Sequence, residues 1–250
     1  MSWRGRYTFQ FTVLLPATLV LAVVLSLVSV GCGDGEGAAK GAGEMTIEEI
    51  WAAAQEADND IHSWHMEIAN YYERTQYGGG QIQSITIDVN GKDIHEQDLL
   101  LGQVYFEYKR VGGKQYNKDM NSGTWKEVPA NATTDAVKEY SSKFLELPSL
   151  AESQTHVGTE VIGGSEAERF RFNLDPEAVK TMFSGQPSFD FSNNSGGEVE
   201  VWIDSDEYYL LRYEMLIRDV IIPEKIGNGD IRFVVNISKI NEPLEIEAPI

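Results

Sequence analysis

The sequence contains one cysteine in 250 residues, so no disulfide can form within the chain. The motifs His-Glu-x-x-His, Gly-x-Ser-x-Gly, Gly-xxxx-Gly-Lys-Ser/Thr and Cys-x-x-Cys are all absent. Their absence leaves no recognisable metalloprotease, hydrolase, nucleotide-binding or dithiol site. The four histidines are scattered along the chain. We therefore expect a non-catalytic protein with no metal and no cofactor.

Positive charge is also scarce, because 20 Lys and Arg stand against 39 Asp and Glu, a formal net charge of −19. Removing residues 1–31, which contain Arg4 and Arg6 but no acid, takes this charge to −21. Nucleic acid and anionic lipid head groups repel so acidic a body, so neither is an expected partner. Asp204, Asp206 and Glu207 lack the spacing of an EF-hand calcium loop, and we expect a solvated turn there.

The first 32 residues resemble a bacterial lipoprotein signal. Arg4 and Arg6 precede an apolar run over residues 11–30, which Gly31 and Cys32 follow. This order is typical of a secretory signal, with the chain beyond it exported. Val30-Gly31-Cys32 resembles a lipobox, although Ser29 stands where leucine is usual. The resemblance implies removal of residues 1–31 and acylation of Cys32, for example with palmitate.

An uncleaved anchor is the alternative, because the apolar run is close to the ~20 residues that span a bilayer. Both interpretations place the body at the extracytoplasmic face of the cell membrane, and we favour the lipid anchor. Residues 32–45 are rich in Gly and Ala and have almost nothing to bury, which predicts a flexible tether. Residues 46–250 are long enough for one domain with its own core.

Helix and strand patterns alternate along this body. Thr46 and Glu49 form a capping-box pattern before an apolar stripe, which predicts a helix over 47–58. Asp175-Pro176 predicts the start of a later helix that Gly185 ends. A further helix is predicted from Thr134 or Asp135, with Val137, Tyr140 and Phe144 on one stripe and its end before Pro148.

The remaining segments mostly have strand periodicity. Apolar residues alternate from Ile61 onward until Gly78-Gly79-Gly80, which we expect to break the pattern, and alternate again before Asn90-Gly91. Further strands are predicted at 99–101, 104–108, 114–118, 124–128, 157–162, 167–174, 199–203, 209–217 and 231–240. This order predicts an α+β fold, with one large curved antiparallel sheet and short helices covering its concave face.

Three segments carry a family resemblance: Gly158–Phe172, Val201–Tyr208 with the strand after it, and Ile240–Pro249. They resemble hairpins and a closing segment of the LolA/LolB-like lipoprotein-carrier superfamily, especially its LppX/LprG-type exported lipoproteins. The resemblance covers most of residues 46–250. It implies an open antiparallel half-barrel, with helices plugging the concave face above an apolar cavity for acyl chains. It carries over no catalytic residue.

The residues expected to face inward combine bulky aromatic groups with flexible methionines, which suit a surface that repacks around an alkyl chain. The predicted cavity residues are Trp64, Met66, Ile68, Val104, Phe106, Tyr108, Phe144, Phe172, Met182, Phe183 and Met215, and Phe170 faces the same way. An ordinary packed core has the same alternation. Three functions therefore stay open: a carrier or holder of a lipid or other hydrophobic ligand, a sensor module that binds an envelope protein or peptide, and a structural lipoprotein with a filled core.

Overall fold

The structure is a computed structural model that describes residues 45–129, 144–183, 189–222 and 226–250. Thr46–Ile250 form one compact unit. Every helix and strand given below lies in this unit, and so does the hydrophobic core. The unit can therefore be studied without the segment that precedes it.

The first helix, α1, spans Ile47–Asp58, as predicted. Its capping box is complete, since Thr46 Oγ1 accepts a hydrogen bond from the Glu49 backbone N–H and Glu49 Oε2 accepts one from the Thr46 N–H. Two otherwise unpaired backbone donors are thereby satisfied. Ile50, Trp51 and Ala54 are buried on one stripe of the helix. The cap thus determines where α1 begins, and the apolar stripe determines which side of the helix is buried.

Eleven strands form one antiparallel sheet. Their bounds are Ser63–Thr75 (β1), Gly78–Asn90 (β2), Asp93–Leu100 (β3), Gln103–Val111 (β4), Lys114–Lys118 (β5), Trp125–Val128 (β6), Ser153–Ile162 (β7), Ser165–Leu174 (β8), Gly197–Asp204 (β9), Leu210–Ile222 (β10) and Gly227–Ser238 (β11). The spatial order is β6-β5-β4-β3-β2-β1-β11-β10-β9-β8-β7. Two meanders therefore meet where β1 pairs with β11.

The sheet is open, because β6 and β7 lie at its two ends and do not pair with each other in the described chain. Register shifts interrupt several ladders, including those at Asn70/Tyr71 and Ile217/Val220. Such bulges bend a strand and increase its twist. The predicted α+β open half-barrel is confirmed.

Two short helices follow the first meander. α2 spans Leu147–Leu150, and α3 spans Pro176–Met182. Asp175 caps α3 as predicted, since its Oδ1 accepts a hydrogen bond of 2.7 Å from the Ala178 N–H. The helix predicted from Thr134 or Asp135 lies outside the described residues up to 143, and so does the predicted stop at Gly185. Phe144, at the end of that stripe, is buried.

Two strand predictions were wrong. Gly78–Gly80 do not break the sheet but begin β2, because the turn lies at Gln76-Tyr77 and the ladder resumes at once. Gly79 allows this close pairing, since a Cβ there would stand 2.9 Å from the Tyr72 carbonyl oxygen. The strand predicted at 99–101 instead runs from Asp93 to Leu100. Its inward positions include acids, so it lacks the apolar alternation of its neighbours.

One face of the sheet, here called the inner face, packs against the helices. The Trp51 ring of α1 meets the rings of Phe170 and Phe172 edge to face, with centroids 5.7 and 5.0 Å apart. α3 packs through the fully buried Val179 onto Gly197 of β9. A Cβ on Gly197 would lie 2.9 Å from the Leu216 carbonyl oxygen and 3.4 Å from Val179, so glycine permits this close approach.

The opposite, outer face is held by charged side chains. Trp202 lies between the guanidinium groups of Arg169 and Arg212, which are 5.1 and 5.2 Å from its ring centroid. Glu200 accepts hydrogen bonds from Arg169 and Arg171. Cation–π contacts and paired charges let this face remain polar while burying the indole. The charged contacts of the outer face thus stabilise the sheet. Apolar surface available to a ligand is therefore expected on the inner face.

Candidate functional site

The inner face divides into two sectors. The apolar sector comprises the inward positions of β1 and of β8–β11, together with the buried side chains of the helical segments that pack on them. The polar sector comprises the inward positions of β2–β4 around Gln83, Glu96 and Asp98, with the neighbouring aromatic residues Tyr105, Phe106 and Tyr108. Both sectors belong to one continuous surface, because the strand pairing carries the same face from Met66 of β1 to Ile87 of β2 and on to Glu96 of β3.

The apolar sector contains eight of the eleven predicted cavity residues. Six are buried in one hydrophobic core: Met66, Ile68, Phe144, Phe172, Met182 and Met215. Trp64 and Phe183 are partly buried and pack against the same core. Phe170, also expected to face inward, is fully buried there. The structure therefore brings these residues together, and their role in ligand binding stays a prediction.

The space between α1 and the sheet is almost filled. The hollow there has a volume of about 10 Å³ and is lined by residues that include Trp51, Phe144 and Val201. That is close to the room for one water molecule. Beneath α1 the described residues thus form a packed core with no room for an acyl chain.

Three predicted cavity residues lie away from this core, on β4. All three are half-buried. Val104 pairs with the outward-facing Leu99 and so lies on the outer face, contrary to the prediction, because a register shift separates it from Phe106. The rings of Phe106 and Tyr108 are parallel, with centroids 6.5 Å apart and an interplanar angle of 8°. A separate hollow of about 120 Å³ is lined by Gln81–Ser84 and Gly102, and the three β4 residues do not line it. The accessible part of the inner face is therefore in the polar sector.

Strand pairing places two carboxylates in the middle of the polar sector. Glu96 of β3 stands between Ile87 of β2 and Tyr108 of β4. In the next inward row, Asp98 stands between Ile85 and Phe106. Each acid therefore has an isoleucine on one side and an aromatic ring on the other. Paired partners on antiparallel strands point to the same face, so both acids project inward with these apolar groups.

Asp98 is only 9% exposed. Its Oδ2 accepts a hydrogen bond of 3.1 Å from the Tyr105 hydroxyl, which accepts one of 2.8 Å from Gln83 Nε2. Its Oδ1 is buried and accepts no hydrogen bond from an N–H or hydroxyl group of the described chain, although Glu96 hydrogen-bonds Asp98 while one of the two acids is protonated. Tyr105 reaches Asp98 because it is the extra residue of a bulge opposite Asp98 and Leu99. A buried carboxylate oxygen without a partner is costly, which makes this position unusual.

Burial shifts the protonation of both acids, and the Asp98 charge adds to the shift of Glu96. Burial, with the nearby Asp98 charge, raises the pKa of Glu96 to about 7. Burial also raises the pKa of Asp98, while the hydrogen bonds with Tyr105 and Glu96 oppose that shift. Two neighbouring carboxylates in an apolar setting cannot both ionise easily. The pair therefore retains a proton at a pH where isolated carboxylates have lost theirs.

Sequence reasoning missed this acid pair because the strand over 93–98 was not predicted. One signal was available. The Asn90-Gly91 turn fixes the hairpin, and counting away from it pairs Val89 with Ile94. The same counting places Glu96 opposite Ile87, on the inward face.

Metal binding was also considered in the sequence, at the turn that follows β9. Among the residues that the structure describes, no group of three His, Cys, Asp or Glu side chains could hold a metal ion. Asp204, considered above as a calcium ligand, is buried, and its Oδ1 accepts hydrogen bonds from the backbone N–H groups of Asp206 and Glu207. The expected turn is confirmed there, with Asp206 and Glu207 exposed, whereas Asp204 is not solvated as expected. No helix within the described ranges is long and apolar enough to cross a membrane.

Comparison with known proteins identifies the fold. No family model matches the chain, and no curated protein matches it. The Mycobacterium tuberculosis lipoprotein LppX matches with a TM-score of 0.52 and 17% identity, over 81% of this chain and 100% of LppX. LprF from Mycobacterium bovis matches with a TM-score of 0.50 and 14% identity, over 81% of this chain and 97% of LprF. The architecture predicted from the sequence is thus confirmed, because the chain shares the fold of LppX and LprF.

Proposed function

We propose that the protein is a membrane-anchored envelope lipoprotein that binds a lipid or another hydrophobic ligand on its inner face, for transport or presentation. One observation carries the proposal: apolar surface continues beyond the packed core onto β2–β4. Ile85 and Ile87 contact the core while staying partly exposed, and the stacked rings of Phe106 and Tyr108 continue the surface outward. Surfaces of this kind mark ligand-binding grooves.

The apolar sector acts in this proposal as a rigid frame. Its side chains are closely packed and leave no space that a chain could enter beneath α1. The polar sector supplies the accessible surface on which a ligand lies, with the edge of the core as its floor. The protein then holds its ligand without chemical change, which agrees with the absence of catalytic motifs in the sequence.

The proposal is tested by isolating the protein from its native membrane and analysing organic extracts by mass spectrometry. We expect one class of amphiphile at a stoichiometry near one per chain. A Phe106→Ala variant is expected to retain less of it, because half of the stacked aromatic surface is removed. Equal recovery of all membrane lipids in their bulk proportions would contradict a specific ligand.

Anchoring at Cys32 gives a second prediction. Cys32→Ala is expected to abolish fatty-acid labelling and release the protein from the membrane, because acyl chains on this residue supply the attachment. Ser29→Leu, which restores the usual lipobox residue, serves as the matched control and is expected to retain labelling. Mature protein that still contains residues 1–31 would instead favour an uncleaved anchor helix.

Binding of an extended peptide is a second candidate function. It is favoured by the edge strand β7, whose ten residues have no second neighbour in the described sheet. Val157 and Val161 on this strand are 42% and 68% exposed. Exposed edges accept an added strand through main-chain hydrogen bonds. A protein that copurifies stoichiometrically, in the absence of bound lipid, would favour this function over the first.

A further inference from the structure

We infer that the polar sector recognises the head group of the bound amphiphile, and that it selects head groups that donate hydrogen bonds through hydroxyl or ammonium groups. It rejects head groups that are anionic. This inference rests on the proposed function and specifies the class of ligand for the same surface. The residues that carry it are Asp98, Glu96 and the aromatic pair Phe106 and Tyr108.

The first observation is the unpartnered oxygen of Asp98. Tyr105 satisfies Oδ2, while Oδ1 lies buried and is left without a donor once the neighbouring Glu96 carboxyl has lost the proton with which it hydrogen-bonds Asp98. The groups on either side are Ile85 and Phe106, neither of which can donate a hydrogen bond. A ligand that donates to this oxygen removes the cost of leaving it unpaired, and hydrogen bonds to charged groups are the stronger ones.

The second observation is the flat aromatic surface beside the acids. Phe106 and Tyr108 present parallel rings next to Asp98 and Glu96 in the same inward rows. Aromatic faces attract cations and also pack against the apolar faces of hydroxyl-bearing groups. The carboxylate acceptor of Asp98 and the aromatic surface together fit a head group that is polar, compact and rich in hydrogen-bond donors.

The same acids disfavour phosphate and carboxylate head groups. A second negative charge beside Asp98 and Glu96 would be repelled in a setting that already raises the pKa of both. The inward-facing cation of β4 is Arg110, whose Nε donates a hydrogen bond of 2.6 Å to the Lys92 carbonyl oxygen at the hairpin turn. Arg110 pairs across the ladder with Ile94, two positions from Glu96. An anionic lipid thus gains no clear partner in this sector.

The head group position also fixes the direction of the tail. Ile85 and Ile87 lie between the acid pair and the core residues Met66 and Ile68. An alkyl chain that leaves the acids toward β1 therefore stays on apolar surface, whereas the opposite direction leads to the polar Asn117 of β5. The ligand is accordingly expected to lie across the strands, with its head at β3 and its tail toward β1.

The test uses residues 46–250, which carry the complete core, and four amphiphiles with the same twelve-carbon tail length. These are monolaurin, dodecylamine, laurate and dodecyl phosphate, measured by equilibrium dialysis below their critical micelle concentrations. At pH 8 we expect monolaurin or dodecylamine to bind at least about tenfold more tightly than the two anions, as one charged hydrogen bond provides. If ammonium is the recognised group, dodecylamine alone gains affinity between pH 6 and 8. If hydroxyl is recognised, monolaurin binds the tighter of the two.

Asp98→Asn and Glu96→Gln are expected to abolish most of this preference, each isosteric change removing negative charge. Glu67→Gln, whose side chain is 62% exposed on the outer face of β1, is the matched control and should leave it intact. Laurate that binds as tightly as monolaurin and dodecylamine, or a preference that survives both inner-face variants, would overturn the head-group inference alone. Failure of all four amphiphiles to bind would overturn both the head-group inference and the proposed function. Glu96 is only half-buried, so its variant keeps the test decisive even if Asp98→Asn does not fold.

Discussion

Replacing Phe172 by alanine is expected to lower the free energy of unfolding by about 3–5 kcal/mol. The Phe172 side chain is fully buried, its ring meets Trp51 edge to face, and it faces Val199 of the neighbouring strand. Removing the ring leaves a cavity that the surrounding strands cannot close. For a body of this length the loss corresponds to a fall in melting temperature of roughly 6–20 °C, measurable by calorimetry on residues 46–250.

Phe106→Ala is the matched control for this result, because it removes the same atoms from the same face of the sheet. Phe106 is half-buried and lies outside the hydrophobic core, so we expect a cost of only about 1 kcal/mol. Ligand recovery should show the opposite ranking, with the larger loss in Phe106→Ala. Equal destabilisation by the two changes would mean that both sectors are packed core, and a structural lipoprotein would then be the better description.

The difference between these two phenylalanines marks the limit of what sequence patterns establish. Alternation identifies which side of a strand faces inward, and it placed Phe106 and Phe172 on that side correctly. It cannot say which part of the inner face the helices cover, because cover depends on distant contacts such as those of Trp51 with Phe170 and Phe172. Burial by a helix distant in sequence leaves no periodic signal in the strand that it covers.

Local signals with a specific physical cause were the reliable ones. The capping box of Thr46 and Glu49 and the cap at Asp175 were predicted to the residue, since each satisfies backbone donors within one helical turn. The β3 strand was the main failure. Its inward acids, Glu96 and Asp98, break the apolar alternation on which strand prediction depends. A conflict of this kind between local pattern and fold is expected where a surface serves a function.

That conflict leads to a prediction about pH. Burial and the Asp98 charge raise the pKa of Glu96 to about 7, so between the ordinary glutamate pKa and pH 7 the folded protein binds more protons than the unfolded chain. Stability must therefore fall as pH rises through this window, by at most about 3 kcal/mol for a shift of this size. Below this window Glu96 is protonated in both the folded and the unfolded protein. Above the window the loss of stability is complete. The titratable groups that interact with Glu96 are Asp98, Tyr105 and Tyr108, and Arg110 is the next inward residue of β4 after Tyr108.

Glu96→Gln is expected to remove this dependence, because the amide keeps the shape of the protonated acid and carries no charge. We expect the variant to match the wild type in melting temperature at pH 5 and to exceed it at pH 8, with the difference developing around neutral pH. Glu67→Gln, on the outer face, should follow the wild-type curve at both values. If Glu96→Gln destabilises the protein equally at pH 5 and pH 8, the Glu96 carboxylate is stabilised in the folded state. Its proximity to Asp98 would then be offset by a cation, and the polar sector would accept anionic head groups after all.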